Sequence, residues 1–337
     1  MDILLLDAMV PEAVAWLESR HQVATRPELA EDSRALRSAM YKVRGVVLPR
    51  KLVITQEFLD FSPKLKVVAR MHAGTDNTDL EACRERGVKV IQALTANVRS
   101  NAEYLLGALL MLYRRGMFDA LAGQRHASVH LGRELYGSVV GILGLGPTAH
   151  ALAQMLAQLG VRLIGYDPAV HHTAPVWDKL RIQPVGLADL MAQSDAVSAQ
   201  IMYASRYRHF INAKVLAACK PGQVWVGSSR SALFEPEGLA AALKDGRISA
   251  CLLDGAEQGF ASKESPLHDC DNLFITPRLG SHTLEARLRA SWYVAHRLHE
   301  AISARAPGEG GFSAPMDLEL PSPGSPSQWG EPEFIIR

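Results

Sequence analysis

The 337-residue chain has little of what would mark it for a special environment. Cysteine is scarce: there are four, Cys83, Cys219, Cys251 and Cys270, and no two form a CxxC pair. That spacing suits neither a disulfide framework nor a zinc motif, so the four read as buried, reduced thiols of a cytoplasmic protein. His268-Asp269-Cys270 has no partner motif elsewhere, and no metal is expected. Charge of one sign is absent too. Thirty-six Lys and Arg against 35 Asp and Glu leave a net charge of +1, which offers no footprint for nucleic acid or an anionic membrane. No apolar run approaches the ~20 residues that span a bilayer. The first residues, MDILLLDAMV, carry Asp2 and Asp7 and no base before the apolar run, which is not the pattern of a signal peptide. What remains is 48% hydrophobic and 21% charged, an ordinary globular composition long enough for two domains.

Two series of alternating strands and helices run through it. The first reads as strands at 3–7, 45–49, 65–71 and 88–91, with helices at 11–18 and 78–86. Unbroken apolar strands separated by helices argue for a parallel sheet covered on both faces. A dense apolar helix follows from about Ser100. The second series has six candidate strands, at 139–146, 161–167, 195–201, 223–229, 249–255 and 273–276, and helices such as 150–160 and 236–246. Six parallel strands with right-handed helical crossovers complete a dinucleotide-binding sheet. One long helix is expected over 283–303. From Pro307 the chain turns rich in Pro, Gly and Ser, and 307–337 reads as a flexible tail.

The stretch GILGLGPTAHALAQ, 141–154, ends a buried strand and opens a helix. Gly144 and Gly146 permit the tight turn and the close approach of a pyrophosphate, and the helix start supplies free N–H groups. Ala149 takes the place of the third glycine, where alanine is accepted. Asp167, at the end of the next strand, is placed to accept hydrogen bonds from an adenosine ribose, and its charge favours NAD over NADP.

Four segments, 69–93, 96–106, 132–146 and 225–257, resemble the NAD-dependent D-2-hydroxyacid dehydrogenases, and the similarity covers about residues 1–303. The resemblance implies two doubly wound parallel-sheet domains. A Rossmann cofactor domain over 100–283 is inserted in a flavodoxin-like substrate domain, 1–99 plus 284–306, with the active site in the cleft between them. It implies a homodimer built on the cofactor domain and a small anionic substrate. It also places Arg230 on the substrate carboxylate and carbonyl, a task that suits a planar guanidinium. Glu257 falls on the glutamate that orients the catalytic histidine, and Asp254 on the acidic residue near the nicotinamide. His72, Ala73 and Gly74 fall on the loop that holds the substrate carboxylate. Pro147, Thr148, Met202 and Ser228 fall on cofactor-facing positions.

The departures cluster at the reaction end. The family's Thr-Pro-His reads Thr276-Pro277-Arg278, its His-x-Pro reads Gln200-Ile201-Met202, and the glycine after Arg230 is Ser231. Reducing a 2-keto acid needs a hydride on carbon and a proton on oxygen. Histidine exchanges a proton near neutral pH and arginine does not. Three readings stay open: Arg278 pairs with Glu257 while water supplies the proton, His282 takes over as acid, or the chain binds NAD(H) as a regulatory or interaction protein without turning it over.

Overall fold

The computed structural model describes residues 1–72, 77–114, 116 and 131–303. The chain separates into two compact units, Met1–Asn97 with the segment from Leu284 on, and Val98–Thr283. In the first, five parallel strands lie in the order β2-β1-β3-β4-β5: β1 Ile3–Leu5, β2 Val23–Thr25, β3 Gly45–Val47, β4 Val67–Arg70 and β5 Lys89–Gln92. This is the flavodoxin-like order. Every residue of β1, β3 and β4 is buried, as a sheet covered on both faces requires. Alternation sorts them. Ile3, Leu5, Val47 and Val67 pack with Leu17, Val294, Leu298 and Ile302 of helices Pro11–Glu18 and Leu284–Ser303. Leu4, Val46 and Val68 pack on the other face with Leu36, Met40, Phe58 and Cys83.

In the second unit seven parallel strands run β12-β11-β10-β9-β6-β7-β8, from β6 Val139–Leu143, β7 Arg162–Tyr166, β8 Gln183–Pro184, β9 Ala196–Ala199, β10 Gln223–Gly227 and β11 Ile248–Asp254 to β12 Leu273–Thr276. From β8 to β11 this is the dinucleotide-binding order, extended by β12, and it reverses between β6 and β9. Two strands are additions to the sequence reading, which expected four and six. β2 is half-exposed, and β8 is two residues long and contains Pro184; both lie at sheet edges, where proline and partial exposure are tolerated. Helix Val98–Tyr113 packs on helix Pro147–Ala157 and β10 of its own unit.

At the entry of β9, Asp195 accepts hydrogen bonds from Lys220 Nζ (2.5 Å), Val139 N (2.9 Å) and Arg133 (3.3 Å). Burial pushes this carboxyl up, but its donors prevail and hold it below the usual range. The four cysteines are buried and unpaired. Among the described residues, no helix is long and apolar enough to cross a membrane. The tail expected over 307–337 lies outside the described residues.

Helices 11–18 and 284–303 meet through an aromatic cluster. Trp16 packs tilted against His296 at 4.5 Å between ring centroids and edge-on against Trp292 at 6.2 Å. His21 Nε2 lies 2.9 Å from His299 Nδ1, one ring donating to the other, so both cannot be imidazolium and keep the bond. His296 Nε2 is buried with no hydrogen-bond partner among the described residues. Burial, helped by the nearby His299, pushes His21 below its ordinary value of 6.5. Burial likewise lowers His296, over the opposing charge of Glu300. The unfolded chain therefore binds protons here before the folded chain does. The stabilisation is complete above 6.5 and is lost as pH falls. The melting temperature should drop between about pH 7.5 and about pH 5.5, through the range where free histidine titrates. Replacing His21 and His296 by Gln should shrink that drop, and an undiminished drop in the double variant would rule the cluster out as its source.

Candidate active site

Gly144 follows β6 with φ +97°. A Cβ there would stand 2.3 Å from Ile201 N and 2.6 Å from the Gln200 carbonyl carbon, so only glycine fits on either count. Gly144 N–H donates to Tyr166 O (2.8 Å) and Gln200 N–H to Leu143 O (2.7 Å). This backbone junction lies where the strand order reverses. Gly146 caps the helix that begins at Pro147, and proline suits that first helical position. A Cβ on Gly146 would meet nothing nearer than Gln200 O at 3.9 Å. Its missing side chain thus leaves open space over the helix start, beside half-buried Pro147 and Thr148. Asp167, just after β7, accepts from Leu145 N (2.6 Å) and Ala169 N (2.7 Å). An open helix start, a glycine loop and a fixed carboxylate are the parts that hold a dinucleotide.

The segment after β9 and the serines after β10 meet at Gln200 and Ile201. Gln200 is buried, donates to Ser198 Oγ (3.0 Å) and accepts from Ser228 Oγ (3.2 Å). Ser229 Oγ donates to Ile201 O. Met202 is 77% exposed.

Arg230 NH1 lies 3.4 Å from Glu257 Oε1, with both side chains about two-thirds buried. The other oxygen of Glu257 accepts from Ser231 Oγ and from Ala232 N (3.2 Å), while Glu257 N–H donates to Ser231 Oγ at 3.0 Å. Ser231 opens the short turn Ser231–Leu233, which places its hydroxyl and the next N–H together. Among the described residues no ion pair links Arg278 to Glu257, so the pairing considered from the sequence is replaced by one with Arg230, Ser231 and Ala232.

Arg278 sits in a turn with φ +58°, an uncommon conformation for a non-glycine residue. The turn is held by Asp254, which is buried, ends β11 and accepts from Thr276 Oγ1 (2.7 Å), Leu279 N (2.6 Å) and Gly280 N (2.8 Å). Tyr104 OH donates in turn to Thr276 Oγ1. Burial, opposed by that bond and aided by Asp254, pushes the Tyr104 hydroxyl up to about 12. The side chain of Arg278 lies over Gly255, where a Cβ would stand 2.6 Å from its Cγ and 3.1 Å from its Cζ. His282 is exposed, two residues before the last helix, and its backbone N–H bonds to Leu279 O at 2.8 Å.

In the other unit, His72 is half-buried just past β4, and Ala73 and Gly74 lie outside the described residues. Arg70, which ends β4, was not anticipated. It is buried and donates to Thr78 Oγ1 (3.0 Å) and to the carbonyls of Pro49 (3.1 Å), Leu52 (2.9 Å) and Asn77 (2.8 Å). Its signal was present as a charge closing the apolar run LKVVAR. Ser231 and Tyr104 were missed as partners because nothing local marks them.

A family model for the NAD-binding domain of D-isomer-specific 2-hydroxyacid dehydrogenases matches residues 106–280. A protein named (S)-sulfolactate dehydrogenase from Chromohalobacter salexigens is 31% identical over 309 residues, 90% of this chain and 99% of that one. The chain belongs to the D-2-hydroxyacid dehydrogenase family. D-3-phosphoglycerate dehydrogenase of Mycobacterium bovis is 32% identical over 307 residues, which span 89% of this chain and 57% of the relative. The crystal structure of the TT0316 protein from Thermus thermophilus superposes with a TM-score of 0.78 at 26% identity, covering 91% of this chain and 98% of that one. The family's cofactor is NAD, and the junction at Gly144 and the space at Gly146 fit it.

The two glycines should behave differently. Gly144→Ala should cost at least about 2 kcal/mol of stability, since the backbone must move. Gly146→Ala should cost less than about 1 kcal/mol as a cap change, yet weaken NADH binding by about tenfold or more. Unfolding curves and calorimetric titration with NADH check both, and a folded Gly146→Ala variant that binds NADH normally would refute the second.

Proposed function

We propose that this protein is an NAD-dependent oxidoreductase that moves a hydride between nicotinamide and a small 2-hydroxy or 2-keto carboxylate, or a related anion, at a rebuilt acid–base centre. The observation that carries the reading is the Arg230–Glu257 pair beside a complete dinucleotide loop. Bound NAD(H) supplies or accepts the hydride. Gly144, Gly146, Pro147, Thr148 and Asp167 hold it by backbone approach, the helix start and the ribose-facing carboxylate, and Met202 and Ser228 edge it. Arg230 offers a planar fork to the substrate carboxylate and carbonyl, where it neutralises charge developing on oxygen. Glu257, fixed by Ser231 and Ala232, orients that fork. Asp254 fixes the turn carrying Arg278. Arg278 stabilises charge but donates no proton at neutral pH, so water delivers it.

A second reading, a catalytically degenerate NAD(H)-binding regulatory or interaction protein, is favoured by one observation. Among the described residues, no histidine hydrogen-bonds to the Glu257 carboxylate. We assign residues 98–283 as the cofactor unit and propose that two copies pair through it, an inference supported by exposed Leu110, Leu131 and Tyr136. The unpaired buried cysteines support a reducing, cytoplasmic setting.

NADH oxidation with a panel of 2-keto acids tests the activity. Arg230→Ala should lower kcat/KM by about 10- to 150-fold, the worth of a charged hydrogen bond. Arg278→His should raise turnover by about 100- to 10,000-fold and introduce a histidine-like pH transition that the native protein lacks. Turnover that falls in His282→Ala but survives Arg278→Ala would instead put the acid at His282. Tight NADH binding with no oxidation by any keto acid would select the second reading. Sedimentation should report a dimer, which Leu131→Asp with Tyr136→Asp dissociates; a native monomer would refute the pairing.

A further inference from the structure

We infer that Arg278 is a receptor for a second anionic group on the substrate, so that the preferred 2-keto acid carries a sulfonate, a phosphate or a second carboxylate besides its own carboxylate. The inference rests on the oxidoreductase reading above and adds to it the chemistry of the substrate's far end.

Three observations carry it. The first is how the negative charges near Arg278 are used. Glu257 is taken by Arg230, Ser231 and Ala232. Asp254 is taken by Thr276 and by the N–H groups of Leu279 and Gly280. Among the described residues, neither carboxylate pairs with Arg278, and no other ion pair reaches it. Five guanidinium N–H donors are thus presented in a fork that matches a tetrahedral or planar oxyanion.

The second is that the placement of Arg278 is built rather than incidental. Its backbone holds φ +58°, which costs about 1 kcal/mol or more outside glycine. The buried Asp254 clamp holds the next two residues, and Gly255 leaves bare backbone beneath the side chain. The Arg278 side chain is itself exposed, so its guanidinium is open to an incoming anion.

The third is the company it keeps. From the end of β9 to Arg230 the chain has no acidic residue. The segment after β9 runs back to the reaction end, where the Tyr203 ring lies 5.8 Å from the Arg230 guanidinium carbon. Exposed Arg206 and Arg208 follow within the same segment. Arg206 and Arg208 add positive charge to the segment that reaches Arg230, which favours an anion of more than one charge. The position that serves proton transfer in the family pattern thus serves charge recognition in this chain.

The test is calorimetric titration of 3-sulfopyruvate and of pyruvate into the protein–NAD⁺ complex, where no hydride is available and binding is read without turnover. The native protein should bind 3-sulfopyruvate about 10- to 150-fold more tightly than pyruvate, with the ratio narrowing at high salt. Arg278→Gln should bring the ratio to within about threefold, and Arg278→Lys should keep part of it, as a charge without a fork. The clamp on the turn is made to backbone groups, so both variants keep its bonds. A native ratio near one, or a ratio that Arg278→Gln leaves intact, overturns the inference. If pyruvate binding is abolished by Arg230→Ala yet no dianion is preferred, the oxidoreductase reading stands and only this assignment falls. If neither keto acid binds the native protein, both fall together.

Discussion

A buried carboxylate with no ion pair among the described residues fixes the turn that carries Arg278. Asp254 is 5% exposed and takes its three donors from one short stretch, Thr276 to Gly280. An ionised group withdrawn from water without such donors would be costly, so the turn closes around it and cannot relax without stranding it. The same turn leaves no side-chain room at Gly280, where a Cβ would lie 2.8 Å from Asp254 Oδ2 and 2.9 Å from Asn101 Oδ1. Through Thr276 the clamp reaches Tyr104 on helix 98–113. Two strands and a helix are thereby registered against the backbone that carries Arg278.

Glu257 shows how the departures from the family pattern fit together. On the proposed reading, Arg278 leaves this carboxylate no imidazole to orient; in the structure the hydroxyl of Ser231 takes up one of its oxygens. Ser231 and Ala232 hold one oxygen of the carboxylate while the other lies 3.4 Å from Arg230. Gln200 likewise finds local partners in Ser198 and Ser228.

The sheets were legible because buried parallel strands write themselves as unbroken apolar runs. ILLLD, LKVVAR and VVGILGLG each name a central strand. Edge strands escape that rule: VAT at 23–25 is half-solvated, and Gln183-Pro184 gives a pattern too short to read. The phosphate loop was legible because its demands are local, glycines and an acid at fixed spacing. The Asp254 clamp, the Ser231–Glu257 latch and the Arg70 anchor were not. Each joins residues whose contact depends on how strands far apart in sequence come to lie side by side, and a serine, a tyrosine or an arginine carries no sign of its partner. Position 278 could be read as changed, but the partners of the new side chain could not.

The contact between Gly144 and the backbone of Gln200 and Ile201 has a consequence for how such a protein can diverge. There, main chain touches main chain, and no choice of side chain at either partner can substitute for the missing Cβ. A lineage can therefore edit the residues around that junction but not the junction itself. Arg278, Ser231 and Met202 are side chains hung on turns that other groups hold in place, so each can be exchanged while the scaffold stands. The architecture thus separates what is inherited from what is open to trial: cofactor capture is written in backbone, and the chemistry done with it is written in replaceable parts.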